Sequence, residues 1–134
     1  MSPIRWSLLP LVILGGTLGV AAREGLLLLV PADAAPVMTL AINLLGSALL
    51  GVVVGALDDR HPRWRAALGT GAMGGFTTYS AFAVQAVASA TPVLGVALVI
   101  ATLAGGAVAG FLGLVAGRAL VDRPGEVEDP AGAE

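Results

Sequence analysis

The sequence predicts an all-α membrane protein of four membrane-crossing helices, with the third helix broken at mid-membrane. Three observations carry this expectation. Charged residues make up 12% of the 134-residue chain, about half of the roughly 25% typical of a soluble domain. Four apolar runs, each 21 residues or longer, divide the chain, and a helix needs about 20 such residues to cross about 30 Å of hydrocarbon. The third run alone carries two adjacent glycines followed by two threonines, a pattern that weakens a helix and offers hydroxyls to its backbone.

The first run, residues 8–30, contains a single adjacent charged pair, Arg23 and Glu24. Arg5 precedes it, as in a signal segment. The run is long for a signal core, however, and no small-residue cleavage site precedes a mature domain. It is therefore expected to stay in the membrane. The other runs, residues 37–57, 66–90 and 92–117, carry no charge. The links between them are short: residues 31–36, residues 58–65, and Thr91 ahead of Pro92. Short links make neighbouring helices antiparallel. One four-helix transmembrane domain, residues 1–120, is expected to hold all four spans. Residues 121–134 turn polar and acidic, with Asp122, Glu126, Glu128, Asp129 and Glu134 among Pro and Gly, and are expected to be disordered.

Arginine placement sets the expected orientation. All seven basic residues are arginine. With four spans, Arg5, Arg60, Arg63, Arg65, Arg118 and Arg123 fall on one side, and the opposite links hold none. Positive charge collects in cytoplasmic loops, so both termini are expected inside the cell membrane. Trp6 and Trp64 suit an aromatic belt on that side.

Composition also removes chemistries. Cysteine is absent and His61 is the one histidine, which excludes disulfides, thiolate sites and a multi-histidine metal centre. No nucleophile–base pair appears, so an enzyme is not expected. Nothing points to a nucleic-acid partner; the lipid bilayer is the surrounding medium.

Nineteen glycines need a reason. Lipid supplies no hydrophobic force between helices, so contact relies on close backbone approach through small residues. Glycine pairs four apart occur at Gly15 and Gly19, Gly51 and Gly55, Gly71 and Gly75, Gly106 and Gly110, and Gly113 and Gly117. Thr39, Asn43, Ser47, Gly51 and Gly55 form one stripe of the second span. Tight packing explains such a stripe, and so does a pore-lining face. A bundle this small has little interior for a hydrophilic path, which favours oligomers.

Polar groups in hydrocarbon are costly and mark function. Arg23 either snorkels to the far interface with Glu24 as counter-ion or faces a water-filled vestibule and attracts an anion. Asn43 either bonds a neighbouring helix or donates to a passing anion. The stretch Gly74-Gly75-Phe76-Thr77-Thr78-Tyr79-Ser80-Ala81-Phe82 is the expected break, and freed carbonyls there suit a small hard cation. Tyr79, Phe82 and Gln85 share a face beyond it. Aromatic edges are electropositive, so these rings either pack a core or face an anion.

Three segments in order carry a family resemblance. They are Gly15-Gly16-Thr17-Leu18-Gly19-Val20-Ala21-Ala22-Arg23, then Thr39-Leu40-Ala41-Ile42-Asn43 with Gly46, then residues 74–82. Together they resemble the Fluc/CrcB fluoride channel family across all four spans. The resemblance implies a passive channel that exports fluoride and relieves its toxicity, built as an antiparallel dimer with two narrow pores. It implies a structural sodium ion at the dimer centre, held by the carbonyls of Gly74 and Thr77. It implies a fluoride pore drawing on Asn43, Tyr79, Phe82, Thr78, Ser80 and Arg23. Tyr79 stands where the family usually carries Phe, Ala81 where Thr is common, and Gln85 where Glu is common. The one-sided arginine leaves open a homodimer or a heterodimer with an oppositely oriented paralogue. The competing reading is a small proton-coupled multidrug exporter. It needs an isolated membrane carboxylate; Glu24 is the candidate, and the neighbouring Arg23 works against that role.

Overall fold

A computed structural model describes residues 6–57 and 61–121. Arg5, Arg60, Arg123 and the acidic tail fall outside the described residues. The described residues form helices joined by short links and contain no strand. Helix α1 is Trp6–Leu27, beginning with a single 3-10 turn. Helix α2, Ala35–Ala56, follows a short 3-10 turn and has Pro36 in its first turn, where a missing N–H costs nothing. Helix α3 covers residues 62–76, helix α4 is Tyr79–Val87, and helix α5 is Pro92–Val121. Thr91 caps α5, its Oγ1 accepting the Leu94 N–H at 3.3 Å, as a Ser or Thr does at a helix start.

Among the described residues, three helices are long and apolar enough to cross a membrane: Trp6–Leu27, Ala32–Ala56 and Pro92–Val121. The remaining apolar run, residues 66–90, forms no single long helix. Within α3, Arg65–Met73 is π-helical, a wide turn that is rare outside functional regions. The α3 helix then stops at Phe76, and α4 begins at Tyr79. Among the described residues the fold is thus that of an all-α membrane protein, with the two shorter helices α3 and α4 between the long apolar helices α2 and α5.

The segments pack as two pairs. Helix α1 lies along α3, and α2 lies along α5, while the end of α3 and α4 bridge to α2 and α5. Glycine makes both pairs possible. A Cβ at Gly15 or Gly19 of α1 would fall on the carbonyls of Ala67 and Ala72 in α3, and one at Gly113 of α5 on the Ala48 carbonyl of α2. Backbones cannot yield as side-chain tips do. Outside these seams, large apolar side chains such as Leu18, Leu28, Val87 and Val93 are exposed, as lipid contact requires. The interior is unusual in the other sense. Its buried side chains are as often polar (Thr39, Asn43, Thr78, Thr102) as apolar (Ile42, Ala66, Phe76, Phe82).

Two glycines of α5 separate packing from propensity. Gly113→Ala sets a methyl on backbone, whereas a methyl at Gly105 meets only the Leu44 Cδ2 atom, the free end of a flexible chain. Gly113→Ala is expected to lose about 1–3 kcal/mol or more to overpacking. Gly105→Ala is expected to stay within about 1 kcal/mol of the parent, helped by helix propensity. Thermal unfolding of the two purified variants in one detergent checks the contrast.

Candidate functional site

The site is built around two residues that are not helical. Thr77 (φ −77°, ψ 155°) and Thr78 (φ −143°, ψ 121°) are extended between α3 and α4. The interruption is narrower than the sequence suggested, because Gly74 and Gly75 remain in the last turn of α3. Extension strands backbone groups, and each acquires a specific partner. The Thr78 N–H, which a continuous helix would aim at the Gly74 carbonyl, donates instead to Asn43 Oδ1 at 2.8 Å. The Thr78 carbonyl accepts from Asn43 Nδ2 at 3.0 Å. One side-chain amide of α2 therefore takes both polar groups of a single peptide residue, in a buried place.

The threonine side chains complete the local structure. Thr77 Oγ1 donates back to the Met73 carbonyl at 2.9 Å and Thr77 N–H to the same oxygen at 3.0 Å, closing the end of α3. Thr78 Oγ1 accepts from the Ala81 N–H at 3.2 Å and so caps α4. Gly46 of α2 seats the Thr77 methyl, since a Cβ there would collide with Thr77 Cγ2 and crowd the Phe76 ring.

Beside the break runs an open groove of about 360 Å³ between α2, α4 and α5. Asn43, Thr78, Tyr79, Phe82 and Thr102 line it, together with Ser47. Phe82 is buried, and Tyr79 is 76% exposed, so the two rings do not share an environment. They meet edge to face, with centroids 5.2 Å apart and planes at 79°. Thr102 Oγ1 is buried with no hydrogen-bond partner. Above the groove, Gln85 Nε2 donates to Thr39 Oγ1 at 3.0 Å, and Gln85 Oε1 is buried with no partner.

Three expected residues lie elsewhere. Ser80 is exposed and sits 3.4 Å from Thr78 Oγ1. Arg23 does not line the groove; its Nη1 reaches the carbonyls of Gly75 at 3.2 Å and Thr77 at 3.5 Å, and it pairs with Glu24 at 3.0 Å. Gly74 is exposed, with open space where a side chain would stand. Sequence reasoning missed the Thr39–Gln85 bond and the double role of Asn43. Both depend on the rotation of α2 against α4, for which the Thr39, Asn43 and Ser47 stripe of α2 was the one available hint.

A family model described as CrcB-like protein, Camphor Resistance (CrcB), matches residues 10–117. The chain belongs to the CrcB family. Relatives of this CrcB chain include "Fluoride-specific ion channel FluC 1" of Cutibacterium acnes, 39% identical over 87% of this chain and 89% of the relative. "Fluoride-specific ion channel FluC 2" of Leifsonia xyli is 39% identical over 86% of each. "Fluoride-specific ion channel FluC 2" of Thermobifida fusca is 45% identical over 58% of this chain, a match spanning 62% of that relative. These relatives are named as channels rather than enzymes. The matched CrcB region contains Arg23, Asn43, Gly46 and the whole interruption from Gly74 to Phe82.

Asn43 substitutions test the grip on Thr78. Asn43→Ala orphans two buried backbone groups, at about 1–3 kcal/mol each. Asn43→Asp keeps an acceptor for the Thr78 N–H but sets a second oxygen against the Thr78 carbonyl. Hydrogen exchange at the Thr78 amide is expected to accelerate strongly in Asn43→Ala and much less in Asn43→Asp, with both variants less stable than the parent.

Proposed function

We propose that this CrcB-family chain is a passive channel that lets fluoride leave the cytoplasm. One observation carries the reading: the gripped break opens onto a groove lined by side chains able to donate hydrogen bonds, among them Asn43, Ser47 and Thr102. The Asn43 amide has a second N–H beyond the one given to Thr78. The Thr102 hydroxyl lacks a protein partner. The Phe82 ring borders the same groove, and ring edges are electropositive. Helix α4 starts there, and a helix N-terminus carries partial positive charge and unsatisfied N–H groups. Such donors replace the water of a small, strongly hydrated anion without a full positive charge that would trap it. The names of the relatives support the choice of anion.

In this reading residues 62–87 form the third membrane crossing, interrupted at mid-membrane by Thr77 and Thr78. Non-helical backbone at that depth is tolerated where protein or water satisfies it, and Asn43 meets that condition. The membrane potential drives export: one elementary charge is worth about 2.3 kcal/mol per 100 mV, so a negative interior pushes fluoride outward. With both termini cytoplasmic, the groove of one chain lies open to its side, and a second, antiparallel copy or an oppositely oriented paralogue would close it into a pore.

A structural sodium ion suits the donor set. The Gly74 carbonyl has lost its helical donor to Asn43, and the glycine faces open space. With the Thr77 carbonyl it presents hard oxygen ligands, which two chains related by a two-fold axis would double. Bound there, the ion would supply positive charge between two chains.

A fluoride-electrode assay of efflux from liposomes tests the reading. The parent, purified alone, is expected to release fluoride; Asn43→Asp and Phe82→Ile are expected to lose at least about tenfold in rate, or about 1.4 kcal/mol. No efflux by the lone chain, restored on co-expression with a paralogue, selects the heterodimer. Proton-driven export of a lipophilic cation would overturn the channel.

A further inference from the structure

Arg23 lies outside the groove. Its guanidinium is held at both ends. Nη1 donates to the Gly75 and Thr77 carbonyls, while Nε and Nη2 both donate to Glu24 Oε1, at 3.1 and 3.0 Å. The Arg23 side chain is 19% exposed and that of Glu24 is 56% exposed, so the carboxylate braces the fork from the outer side. Reach is secured by glycine. Gly75 lies against the Gly16 carbonyl of α1, so the end of α3 passes close enough for a side chain of α1 to span the gap.

The carbonyls it holds are those a cation should hold. The last carbonyls of a helix lack intrahelical donors and carry partial negative charge. Helix α3 ends at Phe76; Arg23 caps that end through the Gly75 carbonyl at 3.2 Å and reaches the Thr77 carbonyl, one residue beyond the helix, at 3.5 Å. Asn43 meanwhile grips Thr78 from α2. The two extended residues are thus contacted from two different helices, Thr77 through a long 3.5 Å bond to its oxygen and Thr78 through short bonds to both backbone groups.

We propose that Arg23, braced by Glu24, is the positioning residue of the break: it fixes the Thr77 carbonyl in the direction that serves the cation site. This rests on the sodium site proposed above. A carbonyl oxygen has two lone pairs, so Thr77 can accept from Arg23 and still ligate. The planar fork is needed, because it binds Glu24 and the carbonyls at once; lysine brings the same charge as a point on a flexible stem.

The test uses the full chain in lipid nanodiscs and liposomes, as parent, Arg23→Gln, Arg23→Lys and Glu24→Gln. Thermal stability against sodium concentration, hydrogen exchange across residues 77–82, and fluoride efflux against sodium are read. Removing an outer-shell partner of a metal ligand typically costs about 10–100-fold in affinity. Arg23→Gln is therefore expected to raise the half-stabilising sodium concentration about tenfold or more and to speed exchange at residues 77–82. Maximal efflux should return at saturating sodium. Arg23→Lys should rescue incompletely, and Glu24→Gln should shift the midpoint in the same direction by less. An unchanged sodium midpoint and unchanged exchange in Arg23→Gln overturn the proposal. So does efflux lost at every sodium concentration in a folded Arg23→Lys protein, which would make Arg23 part of the path. A parent that neither conducts nor responds to sodium removes the channel and cation readings instead; exchange in Arg23→Gln then decides by itself whether Arg23 holds Thr77.

Discussion

Backbone groups that leave a helix inside an apolar medium need partners of their own, and the pairing of Asn43 with Thr78 supplies the most demanding ones. Two hydrogen bonds from one amide, at 2.8 and 3.0 Å, satisfy a donor and an acceptor that would otherwise be buried bare. Each such orphan costs about 1–3 kcal/mol in protein and more in hydrocarbon. Without that amide, both backbone groups of Thr78 would be left buried without a partner, and the break would lose its anchor to α2.

Much of the remaining architecture keeps α2, α1 and the break within hydrogen-bond range. Gly46 admits the Thr77 methyl, and Gly75 admits the α1 backbone at Gly16. The long glycine seams of α1 with α3 and of α2 with α5 do the same at larger scale. In lipid, where apolar burial between helices gains little, such close approach is the source of packing energy. It also lets a membrane protein place polar side chains inside while large apolar ones face out, as Asn43, Thr78 and Thr102 do here.

The aromatic pair separates two roles that one helical face appeared to unite. Phe82 is buried along the groove, while Tyr79 is largely exposed and touches it edge to face. The Tyr79 hydroxyl therefore belongs to the open side of the chain. Gln85 is likewise tied to Thr39 rather than aligned with the rings.

By itself the sequence determined the apolar runs, the all-helical class, the family and the neighbourhood of the interruption. These are local properties: hydrophobic length and helix propensity add up along the chain, and the segments at Gly15–Arg23, Thr39–Asn43 and Gly74–Phe82 are contiguous. The tertiary structure decided that Thr77 and Thr78, not the glycines, are extended. It also decided that Asn43 is spent on Thr78, that Arg23 turns to the Gly75 and Thr77 carbonyls, and that Phe82 is buried while Tyr79 is not. Those contacts join residues 35 and 54 positions apart. Their geometry depends on how far each helix is rotated and slid against its neighbour, which periodicity along one helix does not specify.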